Sequence, residues 1–188
     1  MGFNVTEISS NVFKPNDGTE SKLKFLTLEP NRDLTIKSNA FNNLKQLLSL
    51  SIVGTIQYKN HYKFEKLAFN FSGVNPLSIR FVYINLTGDS FAPGSFDGNK
   101  QQLEIDFPSS NISYIPESSF KSVLSNNKNE IDFGSDLTQS YINCEDCRNF
   151  WLINNHKNKQ VKNAHCSSNP KKTLFDDEIQ SKLKVKCK

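Results

Sequence analysis

Six short runs in which apolar and polar residues alternate recur along the chain: LKFLTL at 23–28, LLSLSI at 47–52, KLAFNF at 66–71, IRFVYI at 79–84, QLEIDF at 102–107 and EIDF at 130–133. A period of two places alternate side chains on opposite faces of an extended strand, so each run reads as a half-buried strand. Between the runs lie segments ending in a small residue and phenylalanine: NAF at 41, GSF at 96 and SSF at 120. Regular recurrence at this scale points to a repeat architecture, in which each unit buries its apolar face only by stacking on its neighbours.

One unit is plainest over 103–124, LEIDFPSSNISYIPESSFKSVL. Leu103, Ile105 and Phe107 point inward from a strand. Asn111 stands where its amide can satisfy backbone groups at the turn, Ile112 and Ile115 continue the buried line, and Phe120 and Val123 plug the far side. The stretch 34–52 repeats this order, with Leu34 and Ile36 ahead of Phe41, Leu44, Leu47, Leu50 and Ile52. A β-sandwich would also supply short alternating strands.

All four cysteines fall in the last quarter, Cys144, Cys147, Cys166 and Cys187, beginning where another repeat is due. A C-x-x-C pair can be a redox catalyst, half a zinc site, or two ends of separate disulfides. Zinc sites of four cysteines ordinarily use two tight pairs, whereas Cys166 and Cys187 lie far apart and neither His156 nor His165 has a finger-type partner. A redox pair needs a βαβ setting, and Glu145 and Asp146 between the sulfurs would raise the thiol pKa. Structural bridges are favoured, and four cysteines admit three pairings.

The segments over residues 20–140 resemble the animal extracellular type of leucine-rich repeat, LxxLxLxxNxLxxLPxxaFxxL. CEDCRNFWLINN at 144–155 looks like the cysteine-rich carboxy-terminal cap of that family, although the family spaces its first pair C-x-C. The irregular Phe- and Asn-rich repeats are also diffusely similar to arthropod secreted proteins related to the non-catalytic leucine-rich subunit of shrimp luciferase. The resemblance implies an α/β-type leucine-rich repeat horseshoe, with a parallel sheet on its concave face and irregular turns or short helices on the convex one. It divides the chain into an amino-terminal edge or incomplete first repeat (1–22), five or six irregular repeats (23–143) and a cap (144–188). It also implies the bridges Cys144–Cys166 and Cys147–Cys187, with Trp151 as a lid over the exposed core.

Chemistry has little foothold in this sequence. His61, His156 and His165 lie in polar surroundings outside any nucleophile frame, no phosphate-gripping loop is present, and DDE at 176–178 suits the first turn of a helix. We expect no enzyme activity, no cofactor and no metal. Four sequons, at Asn4, Asn70, Asn85 and Asn111, are glycosylation candidates. With 23 Asn and 30 Ser plus Thr in the chain, however, chance alone supplies about four. The cysteines carry the expectation of an extracellular or secreted protein. Gly2 and Thr6 meet a minimal myristoylation pattern, without a second membrane signal. No apolar run approaches the roughly 20 residues that a spanning helix needs.

The net charge of +4 is uneven, because ten Lys and Arg face five Asp and Glu from Cys144 onward. A polyanion at this basic cap is one expected partner. The other is a protein, and no nucleic acid is expected. If the strands stack in parallel, Thr27, Ser49, Ser51, Lys66, Ala68, Asn70, Glu104, Asp106 and Asp132 line the concave face as binding residues. That expectation describes a protein-binding scaffold or, alternatively, a non-catalytic subunit of a secreted complex. A zinc- or thiol-dependent enzyme is the third reading.

Overall fold

The computed structural model of the protein describes residues 5–17, 19–55, 60–134, 140–153 and 159–187. Its backbone is a stack of parallel β-strands forming a solenoid of about six turns. The main sheet has six strands in sequence order: β2 (Phe25–Leu28), β4 (Ser49–Val53), β6 (Leu77–Val82), β8 (Leu103–Asp106), β10 (Glu130–Asp132) and β12 (Val161–Lys162). Every neighbouring pair among them is parallel. Leu50 stands beside Ile79, Ile79 beside Ile105 and Ile105 beside Ile131, so one inward apolar position repeats from turn to turn. All four of these residues are fully buried.

Two smaller sheets close the sides of the stack. One joins β1 (Glu7–Ile8), β3 (Leu34–Ile36) and β5 (Tyr62–Phe64), all parallel. The other joins β7 (Asn85–Leu86), β9 (Asn111–Ile112), β11 (Tyr141–Ile142) and β13 (His165–Cys166) in parallel, and ends on the antiparallel strand β14 (Asn169–Thr173). Helix α1 (Glu117–Leu124) lies in the connection from β8 to β10, burying Phe120 and Val123, and helix α2 (Asp177–Lys186) follows β14. Asp177 and Glu178 lie in the first turn of α2, where acids complement the helix dipole.

The core is built from phenylalanine. Phe13, Phe41, Phe69, Phe96 and Phe120 contact one another in series, with ring centroids 5.8, 6.3, 4.7 and 4.7 Å apart. Phe81, Phe107 and Phe133 form a second stack behind the main sheet at 5.2 and 5.5 Å. Aromatic pairs at these separations add to the burial they provide.

KLAFNF at 66–71 is a correction to the sequence reading, because it forms no strand. Leu67 takes a left-handed φ of 59°, matching Asn39 at 58° one turn earlier. Ala68 and Phe69 therefore repeat the turn made by Ala40 and Phe41, and all four side chains are buried. The strand of that repeat is β6, which follows it.

Cys144 bonds Cys166 and Cys147 bonds Cys187, with Cα separations of 5.2 and 5.3 Å. The two sulfurs of the C-x-x-C thus go to different partners. Leu152 is fully buried beneath the cap and Ile153 nearly so, while Trp151 packs partly on the core and its indole Nε1 donates to Ile115 O at 2.9 Å. Arg148 adds a polar fastening: its guanidinium lies 3.5 Å from the Tyr114 ring centroid and is doubly hydrogen-bonded to Asp146. The Tyr114 ring in turn fills the space where a Cβ on Gly88 would sit.

Candidate functional site

Because the main sheet is in register, its outward side chains fall into rows that cross the strands. One row runs Phe25, Ser49, Ser78, Glu104, Glu130, and the next runs Thr27, Ser51, Arg80, Asp106, Asp132, Lys162. Neighbours in a row are about 4.8 Å apart and the rows about 6.7 Å apart. The amino-terminal strands carry hydroxyls with an exposed aromatic, Phe25, at the edge. The carboxy-terminal strands carry four carboxylates.

Those carboxylates are unequally compensated. Glu130 pairs with Lys162, whose pKa its carboxylate raises. Asp132 accepts from the Gly134 amide at 2.9 Å and from the Asn163 side chain at 2.9 Å. Among the described residues Asp106 has only a long contact to Arg80, 3.8 Å between Nε and Oδ2. Burial pushes its carboxyl up to about 6, and repulsion from Glu104, Asp132 and Glu130 adds to this against the opposing pull of Arg80. Glu104 is exposed, and it makes no side-chain hydrogen bond or ion pair among the described residues.

The structure brings together Thr27, Ser49, Ser51, Glu104, Asp106 and Asp132 from the sequence-derived set, and removes Lys66, Ala68 and Asn70 from it. Lys66 and Ala68 belong to the left-handed turn at Leu67. Asn70 follows that turn, half-buried, and its amide donates to Asn39 Oδ1 at 2.9 Å. Ser78, Arg80, Glu130 and Lys162 join the face instead. Alternation within β6 and β10 already aims Arg80 and Glu130 outward, whereas the two residues of β12 are too few to show a period.

Asn111 also differs from its expected role, since its side chain is exposed on β9 rather than turned inward. Ser110 does that work: its hydroxyl donates to Phe81 O at 2.7 Å and accepts from Ile84 N at 3.1 Å. Buried amides make similar connections elsewhere. Asn129 Oδ1 accepts from Leu103 N at 2.8 Å while its Nδ2 donates to Val123 O at 2.9 Å. Asn149 Oδ1 accepts from Ile115 N at 2.9 Å, and its Nδ2 reaches Ser113 O and Asn143 O.

Part of the cap's basic charge is paired within it, and an excess of positive charge remains. Lys172 and Lys182 both grip Glu178, which holds its carboxyl well below the usual range, and Lys186 Nζ donates to Glu145 O at 2.9 Å. Beside them is a hollow of about 280 Å³, floored by Ile179, Leu183 and Cys144. His61 borders β5 and gives its amide to Asp33 at 2.7 Å. His165 Nδ1 lies 3.1 Å from Pro170 O. Asn4 and His156 lie outside the described residues. Among the described residues no group of three or more His, Cys, Asp or Glu side chains could hold a metal ion, and no helix is long and apolar enough to cross a membrane.

These features define the class: a parallel β-solenoid closed by two disulfides. Compared with protein-family models, curated proteins and solved structures, the chain matches none of them.

Proposed function

We propose that the protein is an extracellular, non-enzymatic binding scaffold of the leucine-rich repeat kind, which uses the outward face of its main sheet to hold a protein partner. The observation carrying this reading is the pair of in-register rows, hydroxyl-bearing at one end and carboxylate-bearing at the other. A solenoid sheet presents such a surface continuously, and the surfaces of stacked repeats serve as extended binding faces. The acidic end selects a partner with a basic patch, since charge complementarity governs orientation and encounter.

The finer horseshoe assignment rests on repeat length as well as on the quoted motifs. Register partners on successive strands, Phe25, Ser49, Ser78, Glu104 and Glu130, are separated by 24, 29, 26 and 26 residues. Leucine-rich repeats run roughly 20–29 residues. The bridges support the extracellular assignment, because such bonds persist in oxidising compartments.

A photo-crosslinking residue placed at Glu104 and, separately, at Ser118 on the exposed side of α1 tests the reading in the native secretion. A discrete adduct from position 104 and none from position 118 is the expected result. Equal adducts from both positions, or none from either, would remove the main sheet as the binding face.

A further inference from the structure

Around β7, Tyr83, Asn85 and Thr87 are exposed while Ile84, Leu86 and Gly88 are buried. Asn85-Leu86-Thr87 is a sequon, and Tyr83 lies two residues ahead of its asparagine and lines the same hollow. Among the described residues the Asn85 amide makes no side-chain hydrogen bond. Tyr83 is 46% exposed and holds a left-handed φ of 53°, which a bulky residue rarely adopts. At the equivalent place one turn later the chain uses Ser109, also at φ 53°. Tyrosine is therefore not required by the turn itself. Tyr83, Asn85, Ser109, Asn111 and Tyr141 border a surface hollow of about 270 Å³.

We propose that Asn85 is an N-glycosylation site whose first N-acetylglucosamine packs on the Tyr83 ring within this hollow. The inference deepens the extracellular reading and rests on it. The apolar face of a pyranose ring stacks on an aromatic surface, and the surrounding amides and hydroxyls match the sugar's own polar groups. In the modification a lipid-pyrophosphate-linked oligosaccharide, supplied by the secretory pathway, is the donor. The bond from sugar C1 to the pyrophosphate oxygen breaks, a bond from C1 to Asn85 Nδ2 forms, one amide proton is lost and the lipid pyrophosphate leaves.

The other described sequons lack the aromatic residue two positions ahead of the asparagine. Asn70 is half-buried, its amide is committed to Asn39, and its Oδ1 lies 2.7 Å from where a Gly98 Cβ would sit. Asn111 is exposed, but Ser109 rather than an aromatic precedes it by two residues.

The test is to secrete the full chain from a eukaryotic host behind a supplied signal sequence and to map glycopeptides by mass spectrometry. Trimming to a single N-acetylglucosamine then permits a thermal cycle of wild type, Asn85→Gln, Tyr83→Ala and the double variant. Occupancy at Asn85 in most chains is expected, with a Tm gain from the trimmed sugar that disappears when Tyr83 is alanine. An unoccupied Asn85, or a gain equally large in Tyr83→Ala, would overturn the proposal. Either failure leaves the binding-face test untouched, because that test probes another sheet.

Discussion

Asp106 and Asp132 are register partners on the adjacent parallel strands β8 and β10, so two carboxylates project side by side from the main sheet. Like charges placed directly opposite each other are unfavourable. The arrangement is tolerated because Asp132 is tied to Gly134 and Asn163, which leaves Asp106 to absorb the repulsion.

Burial of Asp106, with repulsion from Glu104 and Asp132 added to it, fixes a pH dependence. Asp106 titrates near 6 in the folded chain, against about 3.9 for an unfolded aspartate. The folded state therefore binds this proton more tightly, and the group destabilises the fold when ionised. The penalty is absent below about pH 4, grows between pH 4 and 6, and is complete above pH 6. The side chain is 24% exposed, which softens the effect through solvent screening. Asp106→Asn should raise Tm by roughly 2–4 °C at pH 7.5, the response of a chain this size to about 1 kcal/mol, with the difference fading at pH 4. Thermal melts at the two pH values check it.

Asn129 connects two turns from a buried position. Asn129→Ala strands the buried Leu103 amide, while Val123 O keeps its bond from Asn126 N, and should cost about 1–3 kcal/mol. Asn127→Ala, two residues earlier on the exposed surface, should change stability by less than about 0.5 kcal/mol. Urea unfolding of both variants measures the contrast.

Phe120 is fully buried against Phe91, Phe96 and Phe107. Phe120→Ala should cost roughly 3–5 kcal/mol in the same assay. A loss below about 1 kcal/mol would contradict its place in the aromatic series.

Much of this stack was legible in the sequence, for a physical reason. Strands β4, β6 and β8 each bury alternate residues, so their period survives in the letters. KLAFNF imitated that alternation because Leu67, Phe69 and Phe71 are apolar, although residues 66–69 form a turn that buries the adjacent Ala68 and Phe69 together. A comparison of NAF at 39–41 with LAF at 67–69 would have exposed it, since both follow the same 28-residue spacing. The amides Asn129 and Asn149 were not legible among 23 asparagines, because nothing local marks which side chain is buried. Flank strands of two residues carry no period to read.

The cap should loosen before the stack. Its bridges close separations of 22 and 40 residues and stabilise by about 3–4 kcal/mol each in the chain-entropy treatment. Reduction should make Trp151 accessible to acrylamide and increase hydrogen exchange over 144–187 while β4 and β6 stay protected. Non-reducing peptide mapping should find Cys144 with Cys166 and Cys147 with Cys187, and no bond between Cys144 and Cys147.

Everything assigned to the main-sheet face depends on carboxylates from successive turns standing in register. Paired cysteine substitutions measure that directly, because a disulfide forms only where Cα atoms lie about 4.4–6.8 Å apart. Glu104 and Glu130 are partners across β8 and β10, whereas Glu104 and Asp132 are diagonal neighbours. Glu104→Cys with Glu130→Cys should oxidise to a third bridge in the folded protein, and Glu104→Cys with Asp132→Cys should leave both thiols free. A bridge in the diagonal pair with none in the direct pair would contradict the parallel register, and with it the acidic face.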